Sequence, residues 1–257
     1  MKYLHLTVIA LLMSTSLIAQ EKPEFSREVF IKGSDSLLYR LLLPENFDPT
    51  KKYPVLFLLH GAGERGKNNE AQLVHGSKLF LTERVRKDFP AIVVFPQCPA
   101  NDFWANVQFK NTAERFAFQK GGEPGKAMDL LMALVGNFRN LKYTDKDRFY
   151  VGGLSMGGMG TLEILRRKPK VFAAAFSICG GDTIENVKKY KKVPLWFFHG
   201  EKDSVVPVEK SKVVVAELQK LKAPDVKLTL YPGVNHNSWD NAFADPELLP
   251  WLFSFRK

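Results

Sequence analysis

Cysteine is scarce in this sequence, with two residues among 257, and histidine is little commoner at five. Neither type clusters at metal-ligand spacing, so no metal site is expected, and no disulfide framework of the kind small secreted scaffolds rely on is visible. No apolar run reaches the ~20 residues needed to cross a bilayer, and no internal repeat, low-complexity tract or interdomain linker breaks the chain. The net charge of +10 is accompanied by no nucleic-acid motif or interleaved aromatic stripe. Clusters such as Lys188-Lys189, Lys191-Lys192 and Arg166-Arg167-Lys168 therefore read as solvated faces. Nucleic acid is not an expected partner, whereas acidic polysaccharide or cell-envelope polymers suit a basic surface.

What is present is enough apolar material, 45% of residues with 12% aromatic, to bury one large core, so residues 20–257 are expected to form a single domain. The first nineteen residues have another character: a short basic start at Met1-Lys2-Tyr3, an apolar stretch over 4–12, and small residues before a cut after Ala19. They read as a secretory signal peptide and not as an uncleaved anchor, for which the stretch is short and lacks a basic stop. Removing Lys2 with this leader would leave +9. The expected location is secreted or periplasmic, with no stable membrane insertion after cleavage and, since no cysteine follows the small residues, no lipid anchor. Cys98 and Cys179 each follow a strand-like run; a disulfide between strand ends and a pair of buried free thiols both stay open.

The periodicity changes along the chain. Alternating runs over 25–31 and 37–43, separated by Lys32-Gly33-Ser34-Asp35-Ser36, predict an antiparallel hairpin. Near-continuous apolar runs at 55–59, 91–95, 149–151, 172–178, 195–198 and 226–231 are of the kind buried on both faces of a parallel sheet. Helical patterns over 126–138, 156–167 and 208–221 fall between them, and 239–255 is expected to be helical in part, broken by Pro246 and Pro250. Strands alternating with helices predict an α/β fold, a doubly wound, mostly parallel sheet whose binding site lies at the carboxyl ends of the strands.

Those ends carry the chemistry. Gly153-Leu154-Ser155-Met156-Gly157 follows the run ending at Val151 and precedes a helical pattern. A strand turning sharply into a helix holds a serine at a strained backbone angle, and glycines two positions either side remove the collisions this creates. A serine nucleophile needs a base, and the base needs an orienting carboxylate. Asp203, after the run 195–198, and His236, after 226–231, fall in the order serine, acid, histidine on two later loops. Glu201 and Asp182 are the competing acids. Among other histidines, His5 belongs to the leader, His60 and His199 precede glycines at strand ends and suit local turn support, and His75 lies upstream of the serine. Backbone amides of Met156 and of Ala62, in the loop His60-Gly61-Ala62-Gly63, are the candidate oxyanion donors.

These motifs, with Gly61-Ala62-Gly63-Glu64-Arg65-Gly66, Phe95-Pro96-Gln97-Cys98-Pro99, Trp104 and Trp239, make residues 25–257 resemble the α/β-hydrolase superfamily. Within it they look like secreted bacterial esterases of the feruloyl and acetylxylan type, polyhydroxybutyrate depolymerases and phospholipase/carboxylesterase-type predicted peptidases. The resemblance implies the α/β-hydrolase fold, a Ser155, Asp203 and His236 triad, and hydrolysis of carboxylic esters without a cofactor. Only some fifteen residues separate Cys179 from Val193, too few for a large cap domain, so an open cleft is expected. The connection 97–122 is rich in aromatics, Phe103, Trp104, Phe109, Phe116 and Phe118; either they line a substrate pocket, Trp104 first with His60 nearby, or they cover the core. Trp239 reads as a packing anchor beside His236. An esterase acting on a small-molecule or polysaccharide ester is the leading expectation. A prolyl-oligopeptidase-like serine peptidase is the second, although the chain has no room for a gating propeller domain, and a catalytically silent binding protein is the third.

Overall fold

The computed structural model describes residues 24–110 and 116–257, so the predicted leader, 1–19, lies outside the described residues. One eight-stranded sheet organises them. The expected hairpin is β1 (Ser26–Lys32) and β2 (Asp35–Leu42), antiparallel and turned at Gly33, whose φ of 62° is left-handed. There follow β3 (Tyr53–Leu59), short helices α1 (Ser77–Phe80) and α2 (Glu83–Asp88), β4 (Ile92–Pro96), and a separate antiparallel pair β5 (Val107–Phe109) and β6 (Phe116–Phe118). Helix α3 (Lys126–Asn140), β7 (Thr144–Leu154), α4 (Met156–Arg167), β8 (Ala174–Ile178), α5 (Ile184–Val187), β9 (Leu195–Gly200), α6 (Glu209–Lys220), β10 (Val226–Tyr231), α7 (Trp239–Ala244) and α8 (Leu248–Ser254) complete the order.

The strands lie in the order β1-β2-β4-β3-β7-β8-β9-β10, with β2 antiparallel to β4 and every pair from β4 to β10 parallel. The chain steps from β3 outward to β4, then back across to β7 and onward. Right-handed crossovers therefore put the helices of the first step on one face of the sheet and those of the later steps on the other. Alternate strand residues separate accordingly. Val55, Phe57, Val94, Phe149, Val151 and Phe197 join the cluster with α3, α4 and α6, while Leu56, Leu58, Val93, Tyr150, Phe176 and Phe198 pack with α1, α2 and α8.

Two elements differ from their sequence patterns for physical reasons. Strand β7 begins at Thr144, five residues before the apolar run, because polar residues open it: Thr144 is buried, pairs with Tyr53 of β3 and donates its hydroxyl to the Phe138 and Leu141 carbonyls, and Lys146 and Asp147 are exposed. Helix α8 contains Pro250, but in its first turn, where a missing N–H has no intrahelical acceptor to lose. Cys98 and Cys179 are both buried free thiols, so the disulfide reading is not realised. Between β8 and β9 only the single turn α5 intervenes, and no cap domain stands over the strand ends among the described residues. No described helix is long and apolar enough to cross a membrane.

Helix α4 rests directly on the sheet. A side-chain carbon at Gly157 would overlap the Leu59 carbonyl and lie 2.8 Å from the His60 oxygen, both backbone atoms unable to yield. Gly136 in α3 faces open space. Gly157→Ala is expected to cost about 4 kcal/mol or more, and Gly136→Ala to stabilise by about 0.5–1 kcal/mol through its better helix propensity. Urea unfolding of the two variants beside the parent chain checks both.

Candidate active site

Ser155 joins β7 to α4 with φ 53° and ψ −117°, a conformation that a non-glycine residue holds only when its surroundings impose it. They do. Its N–H donates to the Ile178 carbonyl of β8 (2.8 Å) and its carbonyl accepts the first helical bond from Met159 (3.0 Å). A β-carbon at Gly153 would lie 2.7 Å from the Leu59 oxygen, and one at Gly158 2.6 Å from the Ile178 oxygen. The glycines thus let the turn settle between β3 and β8, which raises the serine hydroxyl above the sheet.

His236 comes from the loop after β10 and places Nε2 2.9 Å from Ser155 Oγ, while its Nδ1–H donates to Asp203 Oδ2 at 2.8 Å. Asp203 lies after β9 with its side chain wholly buried. Its other oxygen accepts the amides of Val205 (2.9 Å) and Val206 (2.8 Å). Burial alone would raise its pKa; hydrogen bonds from His199, His236 and the two amides outweigh that and hold the carboxyl well below the usual carboxylate range. His199 takes the supporting place expected of it: Nε2, facing only acceptors, donates to the Val206 carbonyl (2.9 Å) with Asp203 Oδ2 at 3.3 Å, and Nδ1 meets Ser211 Oγ (2.8 Å).

Neither competing acid reaches His236. Glu201 is exposed. Asp182 is spent on the Thr183 amide, Asn186 and Tyr190, and burial, against those hydrogen bonds, pushes its carboxyl up to about 6. Asn235 escaped the sequence reading. Its side-chain oxygen takes the amides of Ser204 and His236, both at 2.8 Å, and so ties the acid loop to the base loop. The signal was its place beside His236, but its partner lies 31 positions away and no local pattern marks it.

The two oxyanion candidates sit where backbone amides lack intrahelical partners: Met156 opens α4, and Ala62 opens the 3-10 turn Ala62–Glu64. A β-carbon on Gly61 would lie 3.7 Å from Ser155 Cβ, so this loop runs beside the serine. Trp104 and His60 do not line the cleft. Trp104 is 0% exposed, inside the core under α4, with its ring 5.5 Å from His60. His60 is 3% exposed, donates Nδ1–H to the Gly61 carbonyl and accepts the Cys98 amide at Nε2 (2.9 Å). Burial chiefly, with the charge of Arg65, brings its pKa down to about 4 against the Gly61 bond, so a neutral imidazole splices the ends of β3 and β4. Of the readings open for them, core cover for Trp104 and local turn support for His60 are the ones realised, not a place in a substrate pocket. Of the remaining aromatics, Phe116 packs with Met159 and Val206, and Phe103 and Phe118 lie against them; Phe109 is not among the residues whose side chains are described. Trp239 stands edge-on to His236, rings 5.3 Å apart.

Cys179 Sγ, Asp203 and His236 are the one metal-like grouping among the described residues, their ligand atoms within 4.8 Å. Asp203 and His236 already bond each other, and burial keeps the Cys179 thiol protonated by raising its pKa, as the Asp203 charge also does. The grouping suits proton handling better than ligation.

Asp203→Asn is expected to lower kcat/KM for an ester by about a thousandfold or more, while Asp182→Asn retains most of it; steady-state hydrolysis of p-nitrophenyl acetate separates the two acids. A carboxyl whose folded pKa is depressed stabilises the fold above its unfolded value and loses that contribution as pH falls below it. The stability gap between the parent chain and Asp203→Asn should therefore be widest near neutrality and begin to narrow only as pH falls below about 4, closing progressively toward the depressed folded pKa, read by urea unfolding from neutral to acid pH.

Comparison with known proteins places this geometry. Residues 35–220 match the family model described as "Putative esterase". An endo-1,4-beta-xylanase/feruloyl esterase of Xylanibacter ruminicola is 33% identical over 166 residues, 63% of this chain and 21% of its own. A dipeptidyl-peptidase 5 of Schizosaccharomyces pombe is 27% identical over 118 residues, 46% of this chain and 16% of its own. The chain thus spans about a fifth of the length of these curated relatives or less. The crystal structure of a thermostable esterase superposes with a TM-score of 0.81 at 32% identity, over 91% of this chain and 64% of that one. The sheet is that of the α/β-hydrolase fold, and since the family match takes in well over half of the 257 residues, the chain belongs to this esterase family.

Proposed function

We propose that the chain is a serine carboxylic ester hydrolase that acts on acylated carbohydrate, of acetyl or feruloyl type, through an acyl-enzyme on Ser155. The observation that carries this reading is the continuous line of hydrogen bonds from Ser155 Oγ through His236 to Asp203. His236 Nε2 takes the serine proton as Oγ attacks the ester carbonyl, and Asp203, ionised and buried, stabilises the imidazolium that forms. The negative oxygen of the tetrahedral intermediate is received by the Met156 and Ala62 amides, a contribution worth ~3 kcal/mol of barrier per donor. The imidazolium then returns its proton to the leaving alcohol. Water repeats the sequence on the acyl-enzyme and frees the acid.

The carbohydrate part of the reading is supported by the feruloyl esterase relative and by strand ends left open by the single turn between β8 and β9. A bulky polymer ester needs such access. Secretion rests on residues 1–19 alone, and it fits a substrate outside the cell. The dipeptidyl-peptidase likeness favours a second reading, peptide cleavage by the same triad.

A fluorophosphonate probe is expected to label the folded chain stoichiometrically and to leave Ser155→Ala unlabelled; folded protein that stays unlabelled overturns the serine mechanism. Release of acetate or ferulate from substituted xylo-oligosaccharides, without release of p-nitroaniline from dipeptidyl anilides, separates the two readings. Mass spectrometry of exported protein should find Gln20 as the first residue.

A further inference from the structure

Among the described residues, Glu64 keeps a buried side-chain oxygen, Oε2, that meets no hydrogen-bond donor. Burying a carboxylate oxygen without a donor is costly, and such an oxygen in a native structure calls for an explanation, a role at the site among them. Its place is specific. A β-carbon built on Gly61 would lie 3.0 Å from this oxygen and 3.7 Å from Ser155 Cβ, so carboxylate and serine flank the same glycine. The other oxygen, Oε1, lies 3.7 Å from His75 Nε2, too far for a hydrogen bond. An oxygen atom at the usual ~2.8 Å from both would close the triangle.

We infer that Glu64 and His75 form a polar subsite beside Ser155 that binds a hydroxyl group of the substrate's sugar next to the scissile ester. The inference rests on the proposed esterase reading and deepens it. The loop does not need the carboxylate for its own shape, because its backbone is held by other groups: Arg65 Nε to the Ala62 carbonyl (3.0 Å), Arg65 Nη1 to the Asp102 carbonyl (3.2 Å) and Gln97 Nε2 to the Glu64 carbonyl (3.2 Å). Oε2 itself is buried against Gly61, so a ligand reaches the pair through its exposed part, the Glu64 side chain being 14% and the His75 side chain 29% exposed. His75 is oriented by Trp239, rings 5.0 Å apart, and the same indole stands edge-on to His236. One tryptophan therefore sets both the subsite ring and the base ring. Trp239 belongs with the α8 face of the sheet, whereas Met159, with Phe116 and Val206, covers the α4 side. Ser155 lies between a polar flank suited to a hydroxylated alcohol and an apolar flank suited to an acyl chain.

A hydroxyl suits this pair better than an ammonium group. It donates one hydrogen to the carboxylate and offers or accepts a second bond at the imidazole, whereas a cation would meet His75 as a competitor.

The test compares two acetate esters in the same variants: 2- or 3-O-acetylated xylobiose, which carries hydroxyls beside the ester, and p-nitrophenyl acetate, which carries none. Glu64→Gln and His75→Phe, the latter keeping the stack on Trp239, are each expected to lower kcat/KM for the sugar ester about tenfold more than for the phenyl ester, with the difference in KM. Equal losses on both esters in both variants would mean that the pair only supports the oxyanion loop, and unchanged rates on both would mean that it touches no substrate; either overturns the inference. So does a selective loss on glycine p-nitrophenyl ester, which would assign the carboxylate to a cation. Fluorophosphonate labelling of the parent chain is read alongside: labelling with an unchanged ratio removes the subsite alone, whereas absence of labelling removes the esterase reading and the subsite with it.

Discussion

The upper end of this molecule depends on how closely one helix approaches one strand. Because Gly157 carries no side chain, the first turn of α4 settles onto the Leu59 carbonyl at the end of β3, and that contact fixes where Ser155 stands relative to the Gly61-Ala62 loop. Any larger residue would lift the helix, separate the two candidate oxyanion amides and draw the serine away from His236. Backbone strain at Ser155 is tolerable for the same reason. It is spread over a turn trapped between β3 and β8 and held by the bond to Ile178, so relaxing it would require moving the centre of the sheet.

Charge is managed by enclosing one carboxylate and surrounding it with donors. Asp203 is fully buried, and two amides and two imidazoles face it, so it stays ionised where an isolated buried acid would take up a proton. Asp182, one strand away and about as buried, is raised in pKa because its burial outweighs the hydrogen bonds from Asn186, the Thr183 amide and Tyr190, with the Glu163 charge adding to it. The contrast between two aspartates at adjacent strand ends is a contrast of environments. It decides which of them can support a histidine that must become cationic.

Much of this was legible before any coordinates. The hairpin, the parallel strands and the helices α3, α4 and α6 followed from periodicity, and strand β10 and helix α4 coincide with their patterns residue for residue. The serine, acid and histidine were readable because each sits just past an apolar run, and chain order removed the other histidines. What stayed hidden depended on contacts between distant residues. Nothing around Asn235 announces Ser204, 31 positions before it. Trp104 stayed undecided for a related reason: sequence shows that an aromatic lies in a long connection, but not whether the chain folds it outward or beneath α4. The short helices α1 and α2 have too few residues to show a period at all.

The far end of α4 has its own role. Arg166 and Arg167, both bound to the buried Glu163, donate to the carbonyls of Gly121 and Gly122 just past the β5–β6 hairpin, and that hairpin packs against Met159 and Val206 beside the serine. A single helix about 18 Å long thus carries the serine at one end and grips the root of the cleft wall at the other. The width of the cleft becomes a matter of leverage: a small tilt of α4 would move floor and wall together, as one jaw, and leave the Glu64 side as the fixed anvil against which a substrate is held.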